Sequence, residues 1–291
     1  MSIDKGHGAL AKIGINTFLW TTNLEKENFE ILARIKRLGF DVVQIPLLSL
    51  DFLDPSELAR SLNQFQLEVY ISAGLKEHND VTSDNPEIRR RGIEYLKGCA
   101  RFAQEVGAPF LSGSFHSVFG KKPQHPVGQK EWQNSAECLK EVARENPNYC
   151  LVLEPINRYE SFLVNSADQA EKLIAMIGEP NVKIQLDTFH MNIEENDFYN
   201  TIKTTGDKLV HLHVAENHRG RFGRGIIPWD DVFKALVEID YNGAIVIESF
   251  VPEVTEVATA AAIWRKMAPS ADALAKEGLE FIKALTDEYN L

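Results

Sequence analysis

A chain of 291 residues has room for two small domains or one large one, and α/β barrels commonly fill this length as a single unit. Its 44% hydrophobic and 25% charged residues are ordinary for a globular enzyme. The 42 acidic residues outnumber the 31 basic ones for a formal net charge of -11, which excludes a nucleic-acid backbone or an anionic membrane surface as the main partner.

In chain order, short apolar runs alternate with longer amphipathic ones. The first run, 12-KIGINTFLW-20, precedes a helical pattern over 24-LEKENFEILARIKRLG-39, with Phe29, Leu32, Ile35 and Leu38 on one face and a terminating Gly39. A strand at 41-DVVQIPL-47 leads to a helix opened by Asp54-Pro55, where proline suits the first turn. A strand at 68-EVYISA-73 precedes a helix from about Asn85 to Val106, and 109-PFLSGSF-115 precedes one over 131–146. The second half continues with strand 150–155 and helix 166–178, then strand 182–187 and a helix near 197–205. Strand 209–216 is followed by helix 229–239, and strand 244–250 by a long C-terminal helix that includes the apolar stretch Ala258 to Trp264. Eight βα units with apolar strands, no composition break and no linker predict one α/β domain over 1–291, a (β/α)8 barrel. A doubly wound sheet is the alternative, but no glycine-rich fingerprint follows the first strand.

Cys99, Cys138 and Cys150 form no CxxC pair, so neither a disulfide framework nor a thiolate zinc site is indicated. The N-terminal MSIDKGHGALAKIGINTF lacks the apolar core of a signal peptide, and no run approaches the roughly 18 apolar residues of a membrane span. These readings lead us to expect a cytoplasmic protein with reduced thiols.

Barrel enzymes place their chemistry where the strands end. Here the fifth strand ends at Glu154, the sixth at Asp187, the seventh carries His211 and His213, and the eighth ends at Glu248. Three carboxylates and an imidazole make a hard, oxygen-rich set suited to Mn²⁺ or Mg²⁺, with Co²⁺ as a further candidate. Each member has an ordinary explanation: Glu154 as a solvated strand end, Asp187 as a helix cap, one histidine as core. Together they argue for a cation, because burying three carboxylates without one is costly. His211 and His213 point to the same side of their strand; the one nearer its end, His213, is the expected ligand, and His211 a satisfied core histidine. Glu160, His190 and Arg219, the last within the loop 216-ENHRGRFGRGIIPW-229, are polar groups suited to a hydroxylated ligand. Phe18 and Trp20 are candidates for one apolar wall.

The segments LEPINRYE, QLDTFHMNIEE, HLHVAENHRGRFGRGIIPW and AIVIESF closely resemble the ketose 3-epimerases, a family of xylose isomerase-like TIM barrels that includes D-tagatose, D-allulose and L-ribulose 3-epimerases. The likeness runs nearly end to end, through IGINTFLW and AGLKEHND. It implies a metal on Glu154, Asp187, His213 and Glu248, most readily Mn²⁺, and substrate contacts from Glu160, His190 and Arg219. It also implies a homodimer or homotetramer. The chain departs from the family at Phe119, where tryptophan is frequent, and at Ser72, where cysteine or glycine can stand; both bear on sugar preference.

Epimerising a ketose at C3 removes the proton beside the C2 carbonyl and returns it on the other face. That needs a stabilised enediolate and two acid–base groups on opposite faces, for which Glu154 and Glu248 are the natural pair. Related sugar isomerases and inosose dehydratases of the same barrel class are the nearest alternatives. A non-catalytic sugar-binding barrel would be expected to have lost one of these glutamates.

Overall fold

The computed structural model describes residues 11–51, 53–123 and 125–291. The first ten residues, part of the segment read as lacking a signal-peptide core, lie outside the described residues. Eight parallel strands close into a barrel: β1 (Ile13–Asn16), β2 (Val42–Leu47), β3 (Glu68–Ala73), β4 (Phe110–Gly113), β5 (Cys150–Leu153), β6 (Val182–Asp187), β7 (Leu209–Val214) and β8 (Ile245–Ile247). Each pairs with the next, and β8 closes on β1 with Gly14 opposite Val246.

The connecting helices are α1 (Glu30–Leu38), α2 (Pro55–Phe65), α3 (Pro86–Glu105), α4 (Gln129–Glu145), α5 (Ala167–Ile177), α6 (Thr188–Glu194), α7 (Phe198–Thr205), α8 (Trp229–Glu238), α9 (Thr255–Ala260) and α10 (Ala271–Tyr289). Their boundaries follow local chemistry. The Asp54 side chain accepts the Glu57 N–H ahead of Pro55, and Ser166 and Ser270 cap α5 and α10 in the same way. Gly39 ends α1 with a left-handed φ of 101°.

Three helical expectations change. The pattern over 24–39 starts as a single 3₁₀ turn, Lys26–Asn28, because Asn28 bonds back to the Glu25 N–H; the α-helix begins only at Glu30. A further helix, α6, follows Asp187 directly, ahead of the expected one near 197. The C-terminal region is also not one long helix. Ala262 takes a left-handed φ of 56°, and Pro269 with Ser270 starts α10 afresh, so Ala258 belongs to a separate short helix and Trp264 to the irregular connection after it.

No helix among the described residues is long and apolar enough to cross a membrane. Two apolar cores fill the barrel wall. The large one joins outward strand residues such as Ile15, Ile45, Ile71 and Leu212 to the helices. A small one, Val42, Tyr70, Phe110, Val152 and Val246, forms a second cluster of inward strand residues. Three more residues of these strands, Asn16, Gln44 and Gln185, are polar and fully buried, and their side chains lead to the strand ends.

Candidate active site

Strand ends from β5 to β8 put four charged or ionisable side chains around one point. Glu154 follows β5 and Glu248 follows β8; their backbone N–H groups donate to the carbonyls of Gly113 and Val214, each at 3.1 Å, so the neighbouring strand fixes both. Gly113 has φ +134°, and a Cβ there would stand 2.2 Å from the Ala73 carbonyl oxygen, so only glycine lets β4 approach closely enough to hold Glu154. His116, buried in the next loop, also bonds through Nε2 to the Glu154 carbonyl at 3.0 Å.

His213 Nδ1 faces Glu154 Oε1 at 3.4 Å, Glu248 Oε2 at 3.6 Å and Asp187 Oδ2 at 3.9 Å. Its Nε2–H donates to Gln44 Oε1, so Nδ1 is the nitrogen that faces the carboxylates and the one a deprotonated ring would offer to a cation. Burial disfavours charge on this ring, but Glu248 and Glu154 outweigh it and raise His213 to about 10. Burial likewise opposes ionisation of Glu248, yet His213 and Arg219 hold its carboxyl well below the usual range.

Asp187 serves two purposes. Its Oδ1 accepts the Phe189 N–H at 2.8 Å and caps α6, as the capping reading expects, while Oδ2 faces the cluster and stays available to a cation. Ligand atoms of Glu154, Asp187 and His190 lie within 4.8 Å of one another, as do those of Asp187, His213 and Glu248. Asp187 is common to both triads, and His190, expected as a substrate contact, stands as close to the carboxylates as an expected ligand.

His190 is held by Asn157, whose side-chain and backbone N–H groups approach Nδ1 at 2.9 and 3.2 Å. The ring proton therefore sits on Nε2, which faces Asp187 Oδ2 at 3.8 Å and Glu160 Oε2 at 4.0 Å. Arg219 is more deeply engaged than its place in a glycine-rich loop suggested. Its Nη1 donates to Asp187 Oδ2 at 2.8 Å and lies 3.1 Å from Glu248 Oε2. Its guanidinium lies over the Phe189 and Phe250 rings, 4.1 and 5.0 Å from their centroids.

Above the cluster opens a cavity of about 550 Å³ lined by Glu154, Glu160, His190, His213, Arg219 and Glu248, with Asp187 covered beneath. Its opposite wall comes from the first strands and the turns that follow them, from the loop after β8 and from α9, including Phe18, Leu47, Ser72, Phe250 and Val257. Phe119 stands at its rim, 42% exposed. Trp20 does not join this wall: the chain turns into a 3₁₀ helix at Thr17–Leu19, and the Trp20 indole instead donates to Asp272 of α10 at 2.8 Å.

His211 is buried as expected, but it is not satisfied. Neither ring nitrogen has a hydrogen-bond partner; the ring packs edge-on to Tyr70 and His213, 5.0 and 4.8 Å between centroids. Burial keeps it neutral, well below the usual histidine range.

Sequence reasoning missed the amides that orient this site. Asn16 Nδ2 donates to Glu248 Oε1 at 2.9 Å, Gln44 fixes the His213 tautomer, Gln185 lies 3.1 Å from His213 Nδ1, and Asn157 orients His190. A signal existed: each of the first three interrupts an otherwise apolar strand, in IGIN, VVQIPL and VKIQLD.

Comparison with known proteins places this geometry in context. Residues 32–285 match the model of the family described as "Xylose isomerase-like TIM barrel". A probable ketose 3-epimerase from Synechocystis sp. is 31% identical over 274 residues, covering 94% of this chain and 96% of the relative. A solved D-allulose 3-epimerase from Methylomonas sp. superposes with a TM-score of 0.90 at 31% identity, covering 96% of this chain and 99% of the other. A solved L-ribulose 3-epimerase gives a TM-score of 0.91 at 32% identity, with 96% of both chains covered.

Proposed function

Because this chain belongs to the ketose 3-epimerases of the xylose isomerase-like TIM barrels, and is thus an isomerase, we propose that it interconverts free ketoses at C3. The first candidates are D-fructose with D-allulose, L-ribulose with L-xylulose, and D-tagatose with D-sorbose. The observation that carries this reading is the approach of Glu154 and Glu248, from strands β5 and β8, to the same face of His213, at 3.4 and 3.6 Å from Nδ1.

The donor set fits a hard divalent cation. It is oxygen-rich, its imidazole turns Nδ1 toward the carboxylates, and the buried Oε1 of Glu154 makes no hydrogen bond. Glu154, Asp187, His213 and Glu248 would hold the ion, Mn²⁺ foremost, with Co²⁺ or Mg²⁺ as the other hard candidates. Such a cation supplies Lewis-acid charge for the negative charge that builds on the ketose oxygens.

The chain's own residues do the rest. Glu248, held ionised by Arg219 and His213, is ready to take the C3 proton from one epimer; Glu154 serves the other face. The Nε2–H of His190 is a preoriented donor for a ketose oxygen, and Glu160 accepts from a hydroxyl. Of the cations lining the cavity, Arg219 is engaged by Asp187 and Glu248, and Lys76 stands alone at the rim. That is poor provision for a phosphate and favours an unphosphorylated sugar.

A panel of ketoses assayed with Mn²⁺ after exhaustive chelation tests the whole reading. Chelation should abolish C3 epimerisation and Mn²⁺ or Co²⁺ should restore it. Full activity in rigorously metal-free protein overturns the metal assignment, and no epimerisation of any ketose overturns the reaction. The homodimer or homotetramer and the cytoplasmic location remain part of this proposal, and light scattering of the purified protein tests the assembly.

A further inference from the structure

The loop over 216–228 carries Arg219, and the feature that shapes it is a carboxylate outside the cavity. Arg219 has φ +55°, a left-handed backbone that L side chains rarely adopt. Its N–H closes a turn on the Glu216 carbonyl at 2.8 Å. The Glu216 side chain is fully buried and reaches across the loop. Its Oε1 accepts the Gly223 N–H at 2.7 Å and the Trp229 indole N–H at 3.0 Å, tying the middle of the loop to the first residue of α8. Oε2 is buried without a hydrogen-bond partner, and Glu216 pairs with no cation among the described residues. Gly225 closes over it: a Cβ there would stand 2.1 Å from Oε2, and 2.3 Å from Oδ1 of the adjoining Asn217.

A buried carboxylate without a cation costs stability. It persists here at the base of a loop whose one cavity-lining residue is Arg219, bonded to Asp187 and Glu248. We propose that Glu216 is a positioning residue for the epimerisation: its carboxylate, seated against Gly225, holds the loop in the shape that keeps Arg219 left-handed and aimed at the two carboxylates. The inference rests on the reading of the site given above. Glu216 touches no reacting atom, so its effect must pass through Arg219.

Two variants displace the carboxylate from different sides. Glu216→Ala deletes it, and Gly225→Ala, at an exposed position, pushes it away without emptying the core. Each should lower kcat/KM for the preferred ketose about 100-fold, the scale of a misplacement of about 1 Å in a catalytic group. Glu216→Gln, which keeps an acceptor for both N–H groups, should recover most of the loss. On an Arg219→Ala background neither variant should reduce activity further, whereas a general structural defect would add its full cost. A full additional loss on that background overturns the proposal, as does wild-type kcat/KM in Gly225→Ala. A crystal structure of Gly225→Ala separates this claim from the activity reading, because it needs no turnover. It should show Arg219 out of the left-handed region and parted from Asp187. Arg219 unmoved with Glu216 displaced overturns the positioning role, whether or not the wild-type protein epimerises ketoses.

Discussion

The two halves of the barrel end differently. Strands β5 to β8 close on Glu154, Asp187, His213 and Glu248, within one network that reaches Arg219 and His190. Strands β1 to β4 offer no carboxylate to that point; they supply the amides of Asn16 and Gln44 beneath it and Leu47, Ser72 and the rim Phe119 beside it. One half is a charged network in which every member constrains the next. The other is a wall whose members touch a ligand one at a time. Changes in the first half should therefore stop the reaction, and changes in the second should redirect it.

The largest effect tests the charged half. Glu154→Gln and Glu248→Gln keep shape but cannot take a proton, so each should cut net epimerisation by at least about 10³-fold, measured after the metal content of each variant is established. With metal bound, each should still exchange the C3 proton with D₂O from one epimer, and the two variants should choose opposite epimers. Exchange from both epimers in a single variant points to one mobile base.

Next in size is the contrast along β7. His213→Ala should weaken metal binding by at least about 100-fold, read by metal titration. His211→Phe should leave metal binding intact and hold or raise the unfolding midpoint, because an unpartnered buried imidazole is replaced by an apolar ring. Loss of metal in the His211 variant alone would mean that the register along β7 is misassigned.

A smaller effect comes from the quiet half. Burial pushes His116 down to about 4 from an ordinary 6.5, so the unfolded chain takes up its proton before the folded one does. The resulting stability is fully present above about pH 6.5 and is lost as pH falls toward about 4; by pH 5 the share of this residue is about 2 kcal/mol. Urea unfolding of wild type and His116→Gln at pH 7.5 and pH 5 should show the pH dependence reduced by that amount in the variant. Equal slopes would assign the acid sensitivity elsewhere.

The smallest concerns the wall. Ser72→Cys and Phe119→Trp should change the ratio of kcat/KM between two ketoses by up to about 10-fold, with the best kcat within a few-fold of wild type. A loss of all activity in either would erase the distinction between the halves.

Much of this was legible in the residues. A carboxylate that ends an apolar strand is conspicuous, and four successive strands ending in three carboxylates and a histidine identify the barrel face and the cluster together. What escaped depended on the path of the backbone or on partners distant in the chain. The sequence puts Trp20 beside Phe18 near a strand end, but Asn16 accepts the Phe18 N–H and turns the chain away. The C-terminal region read as one helix because composition does not reveal the left-handed Ala262. Arg219 could be placed in a loop but not paired, since its partners come from β6 and from the residue after β8. His211 was correctly buried, yet whether a buried ring finds an acceptor depends on inward residues of other strands.

The seam of the barrel has a kinetic consequence. Asn16 and Glu248 are bonded across it, 232 positions apart, and β8 has no neighbour on that side until β1 docks. Contacts of such long sequence separation are the slowest to form in a refolding chain. Half the charged network can assemble while the seam is open, but Glu248 cannot reach its final place. Recovery of turnover after dilution from denaturant should therefore lag behind recovery of helical circular dichroism, and enzymatic activity becomes a clock for the last closure of the fold.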